Sequence, residues 1–100
     1  MVQEVIWPPE AIASFSDIVS YLRETFSEKE VDKFADRVDA KLERIKFHPR
    51  LGSIKNKKSN VRKTVIHKKV ILIYKYKPLR KEIYLLRFWS TLQDPSGSKY

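Results

Sequence analysis

The sequence predicts an α+β domain of order β-α-α-β-β-β, with a helical hairpin packed on one face of a small, mostly antiparallel sheet. Three observations carry that expectation. Two apolar stripes at spacings of three and four follow each other between residues 9 and 47. Three β-rich segments crowd into residues 61–89 with short turns between them. A lone β-rich segment stands ahead of Pro8-Pro9.

Residues 2–7, VQEVIW, read as a first strand, stopped by Pro8-Pro9 because proline cannot donate to a ladder. Pro9 suits the first turn of a helix, and Glu10 lies at the positive end of its dipole. Ala11, Phe15, Ile18, Val19, Leu22 and Phe26 then mark a helix over residues 9–26. Ser27 and Glu30 form the S-x-x-E pattern of a capping box. A second stripe, Val31, Phe34, Ala35, Val38, Leu42 and Ile45, ends before His48-Pro49, since a residue ahead of proline is pushed out of the helical region. With almost no linker between them, the two helices are expected to form an antiparallel hairpin. Residues 53–60, SIKNKKSN, read as a basic loop. Strands are expected over 61–66, 70–76 and 83–89, with His67-Lys68-Lys69 and Pro78 to Lys81 as the turns. The domain is expected to span residues 1–95, with 96–100 as a flexible tail.

Composition narrows the chemistry. The chain has 100 residues and no cysteine, so disulfides, thiolate catalysis and thiolate zinc sites are excluded. Two well-separated histidines make a metal site improbable, and no cofactor motif is present. The N-terminus lacks a signal-peptide pattern, and no apolar run is long enough to span a bilayer. A cytoplasmic location without membrane contact is expected. The net charge of +9 is unevenly placed: residues 1–43 hold ten acidic and five basic side chains, whereas residues 44–81 hold fourteen basic and none acidic. Folding alone gives no reason to collect like charges, so a polyanion or an acidic protein is the expected partner.

The central strand leaves its buried face undecided. Ile71, Ile73 and Lys75 share one face; Val70, Leu72, Tyr74 and Tyr76 share the other. Arg62 and Thr64 share a face of the preceding strand, and Arg87 stands beside Trp89 in the last. A sheet presenting Arg, Lys and aromatic side chains suits contact with phosphates and bases. Lys55, Lys57, Lys58, Arg62, Lys63, Lys68, Lys69 and Trp89 are therefore the expected nucleic-acid-binding residues.

Several motifs in order resemble the RelE/ParE superfamily of toxins from bacterial type II toxin–antitoxin systems, which includes proteins labelled plasmid stabilisation proteins. They are W-P-P-E-A at 7–11, A-x-x-x-F-x-x-I-x-x-Y-L-x-x-x-F at 11–26, V-x-x-x-L-x-x-I-x-x-x-P-x-L-G at 38–52, V-R-K-T-V-I-H-K-K-V-I-L-I-Y at 61–74, and I-Y-L-L-R-F-W-S-T-L-Q-D-P at 83–95. The resemblance implies a growth-inhibiting toxin silenced by a cognate antitoxin in a hetero-oligomer. RelE-like members cut messenger RNA on the ribosome without a metal, the 2′-hydroxyl attacking the adjacent phosphate; ParE-like members act on DNA gyrase. For an RNase the resemblance implies Arg62 and Arg87 as phosphate-binding catalytic residues. The position where such RNases carry His or Tyr reads Phe88-Trp89-Ser90 here, which leaves Tyr84, Tyr74 or His67 as substitutes. The alternative is a non-catalytic nucleic-acid-binding module, or an inactive toxin remnant that only binds its antitoxin.

Overall fold

The computed structural model describes residues 2–67 and 70–90. The order is β1 (Glu4–Ile6), α1 (Pro9–Thr25), α2 (Glu28–Phe47), β2 (Ser53–Asn56), β3 (Val61–His67), β4 (Val70–Lys77) and β5 (Glu82–Ser90). The sheet runs β1-β5-β4-β3-β2. Among the described residues only the β1–β5 pair is parallel; the other three are antiparallel. The expected α+β architecture is thus present, with one strand more than the sequence suggested. β2 falls in the segment read as a loop. Its only apolar residue is Ile54, so it lacks the alternation by which a strand is recognised. His67, expected in a turn, ends β3.

Both helices cover one face. α1 begins where Pro8 and Pro9 place it and carries Ala11, Ile18 and Leu22 into the core. α2 contributes Val31, Phe34, Val38, Leu42 and Ile45. The expected capping box is not formed: Ser27 makes no side-chain cap, and its carbonyl accepts from the Glu30 and Val31 N–H groups instead. Glu28, in the first turn of α2, pairs with Arg23 of α1 across the helix junction.

The strand register resolves the parity question. Val70, Leu72, Tyr74 and Tyr76 meet the helices, together with Ile66, Ile83, Leu85 and Phe88. Phe88 is held between Trp7, at 5.5 Å between ring centroids, and Phe15, also at 5.5 Å. Phe15 in turn lies 5.4 Å from Phe34 of α2. Ser14 ties α1 to β5: its hydroxyl accepts from the Phe88 N–H at 2.9 Å and donates to the Ala11 carbonyl at 2.9 Å.

Candidate target-binding surface

The face of the sheet away from the helices is built from alternate residues of three strands. Cross-strand partners share a face. Lys63 opposes Ile73, which opposes Arg87; Val65 opposes Ile71, which opposes Trp89. Lys75 opposes Tyr84. A register shift after Ile73 places Leu86 in a bulge, so that Tyr84, Arg87 and Trp89 all end on this side. The ammonium of Lys77 stands 4.1 Å from the Tyr84 ring centroid, a cation–π contact. Ile73 is 1% exposed although it lies on the open face. Its register neighbours Lys63 and Arg87 have aliphatic stems long enough to lie over it while their charges reach solvent. The surface is therefore an apolar floor with cations around it and aromatic rings along β5.

Arg62 is not on it. It opposes Tyr74, which places it on the helix side of the sheet, opposite in sense to Arg87. The expected grouping of the strand arginines therefore does not occur. The Arg62 guanidinium donates to the Gly52 carbonyl at 2.8 Å, the Arg50 carbonyl at 3.2 Å and the Asn60 side-chain oxygen at 3.2 Å. These bonds brace the corner between α2 and β2. Thr64 shares that side, opposing Leu72.

Tyr74 completes the brace. Its hydroxyl donates to the Pro49 carbonyl at 2.9 Å and accepts from the Gly52 N–H at 2.9 Å. Burial pushes its pKa above the usual 10.0, while the Gly52 hydrogen bond and the nearby Arg62 charge pull less strongly the other way. Glycine is required at position 52, because a Cβ there would lie 2.8 Å from the Lys63 carbonyl oxygen and 2.9 Å from the Tyr74 hydroxyl. Fully buried, Tyr74 is placed as a fastener of this corner, out of reach of a bound target. His67 is also buried, with Nε2 3.5 Å from a Glu30 carboxylate oxygen.

The other sequence-derived positions divide cleanly. Lys63 and Trp89 belong to the open face. Lys55 lies in β2, and the exposed Lys57 and Lys58 lie in the turn that follows it, at the sheet edge. Lys68 and Lys69 lie outside the described residues, as does the tail. Lys75 and Lys77 were not singled out from sequence. Their signal was there: of the alternate positions 71, 73, 75 and 77, two are lysines, a choice that suits a solvent face and not a core.

A two-helix layer thus covers one face of a five-stranded sheet, and the opposite face is cationic and aromatic. The chain belongs to the ParE toxin family of type II toxin–antitoxin systems: the model of that family, described as the ParE toxin of parDE, matches residues 5–95. The fold is similar to a solved structure described as a chromosomal ParDE toxin–antitoxin system from P. aeruginosa, with a TM-score of 0.71 and 14% sequence identity. That similarity covers 89% of this chain and 96% of the other. No curated protein matches the sequence. The family match agrees with the toxin class that the sequence motifs implied.

Proposed function

We propose that this chain arrests growth by gripping its target through the cationic sheet face, without cutting RNA, and that an acidic antitoxin keeps it silent in a hetero-oligomer. DNA gyrase, the target that the ParE-like side of the resemblance implies, is the target assigned. The observation that carries this reading is the position of Arg62. Cleavage by 2′-hydroxyl attack needs cations around one phosphate and a proton acceptor and donor beside it. Arg62 faces away from Arg87, and its guanidinium donates to three acceptors of the protein itself. No imidazole stands on the open face among the described residues, and Phe88 is turned into the core. Lys63, Lys75, Lys77 and Arg87 remain as a positive surface, extended at the sheet edge by Lys55, Lys57 and Lys58. Such a surface favours fast, salt-sensitive association with an acidic partner.

Induced expression in bacteria tests this. Growth is expected to stop, with a DNA-damage reporter rising before amino-acid incorporation falls. The double variant Lys75→Glu/Arg87→Glu, folded by circular dichroism, is expected to relieve the arrest. Arg62→Ala is expected to relieve it only as far as it lowers the melting temperature. Prompt loss of translation, abolished by Arg62→Ala in a protein that is still folded, would favour RNA cleavage instead.

The rings of Tyr84 and Trp89 beside those cations favour one second reading, a non-catalytic grip on single-stranded nucleic acid. Binding of a labelled oligonucleotide that weakens steeply with salt, together with harmless expression, is its expected signature.

A further inference from the structure

The two edges of the sheet carry opposite charge. β1 forms one edge and β2 the other. A groove of about 640 Å³ runs between β1 and α2. Val2, Val5, Trp7 and Leu42 give it apolar walls, and Glu4, Asp39 and Glu43 add carboxylates. Val2 is 50% exposed there. Glu43 pairs with Lys46 at 3.2 Å, whereas Glu4 and Asp39 form no ion pair among the described residues. The Gln3 N–H, on the outer side of β1, already donates to the Lys46 carbonyl at 3.0 Å. The groove therefore offers side chains to a visitor more than it offers a strand edge.

The far edge is its complement. Ile54 of β2 is 46% exposed, and Lys55, Lys57 and Lys58 surround it in sequence. None of these lysines forms an ion pair among the described residues, and residues 44–81 contain no acidic side chain. α2 sorts its charges the same way. Asp39 and Glu43 line the groove beside β1, while Arg37, Lys41 and Arg44 line one beside Ile66 of β3. The chain is thus polar from edge to edge, which orients an approaching charged body.

We propose that the groove between β1 and α2 is a docking site for a second copy of this chain, which inserts the tip formed by residues 54–58. Ile54 meets the apolar walls, and Lys57 and Lys58 meet Glu4 and Asp39. The occupant is argued from charge complementarity: the uncompensated cations and the exposed aliphatic group that the groove calls for stand together on the chain's own opposite edge. The surface that docks differs from the surface that receives, so the contact repeats head to tail. Because the two lie on opposite edges, a pair of copies cannot satisfy both junctions, and growth continues past the dimer. Exposed ion pairs contribute little each, so association needs a high protein concentration. The inference does not depend on growth arrest, so its failure and that of the toxin reading are separately visible.

Sedimentation equilibrium of the full chain tests it. At about 0.1 M salt the Debye length of about 10 Å screens the repulsion between two chains of net charge +9 but spares charges in contact. The average mass is expected to rise with concentration past that of a dimer, and to return toward the monomer near about 1 M salt. Glu4→Gln/Asp39→Asn disables the groove and Lys57→Gln/Lys58→Gln disables the tip. Each variant, folded by circular dichroism, is expected to self-associate roughly tenfold more weakly. Mixed, they share one intact junction and are expected to form a dimer and nothing larger. In the isotope-labelled wild type, concentration is expected to shift the amides of residues 2–7, 39–46 and 54–58. A monomer at every concentration, wild-type growth that stops at a dimer, association unchanged in either variant, or a mixture no heavier than its parts would each overturn the proposal.

Discussion

Phe88→Ala is expected to lower stability by about 3–5 kcal/mol, the usual cost of emptying a phenylalanine site in a core. The reason lies in how much meets at this ring. Phe88 of β5 is 2% exposed and is the point where the β1–α1 link, α1 and α2 meet the sheet, through Trp7, Phe15 and Phe34. Trp7 stacks on it with an interplanar angle of 24°, while Phe15 meets it edge-on at 67°. Removing the ring forfeits its burial and all three aromatic contacts, and the neighbours, held on α1, on α2 and in the β1–α1 link, cannot close the gap. A domain of this size holds only about 5–15 kcal/mol in all, so a large share of the folded state's margin is lost. Urea unfolding followed by circular dichroism should show an earlier midpoint with little change in slope. Phe47→Ala is the control: its ring is 58% exposed, and its removal should move the midpoint hardly at all.

Tyr74→Phe is expected to cost nearly as much, by a different route. The volume is kept, but the Pro49 carbonyl and the Gly52 N–H lose their partner in a buried corner. Each orphaned group costs about 1–3 kcal/mol. The pH dependence distinguishes this from a packing defect. Because burial holds the phenol's pKa above 10.0 in the folded chain, the folded state keeps its proton where the unfolded chain gives it up. The stabilisation is fully present below pH 10.0 and is lost as pH rises from there through the folded-state pKa. Wild type should therefore lose stability above that pH, measured by denaturant midpoints across an alkaline series. Tyr74→Phe should be less stable at neutral pH and show a shallower alkaline decline. Equal alkaline slopes would mean that another group governs the transition.

Much of the fold was legible because its elements follow simple periodicities. Pro8-Pro9, Ser27 and His48-Pro49 bounded the helices to within a residue, since proline geometry and the apolar stripes agree there. β2 was not legible, because an edge strand paired on one side can be built from Ser, Lys and Asn as long as its neighbour supplies the ladder. The central strand was recognised but not its orientation, because both of its faces begin apolar and only Lys75 and Lys77, at its far end, break the tie. Arg62 was the costliest ambiguity. Charge alone suggested solvent and phosphate, whereas a register partner on the helix side and three nearby acceptors turn the same guanidinium inward. Sequence carries the alternation of a strand but not its register phase, and the phase decides whether an arginine meets a target or ties a loop.

The central claim is that the cationic sheet face grips a target and does not cut RNA. Purified protein should be added in parallel to DNA gyrase with relaxed plasmid and to ribosomes translating a defined message. The account predicts inhibited supercoiling that Lys75→Glu/Arg87→Glu abolishes, and messages whose 5′ ends are unchanged. New 5′ ends in the ribosome reaction that vanish with Arg62→Ala, alongside unimpaired gyrase, would contradict it.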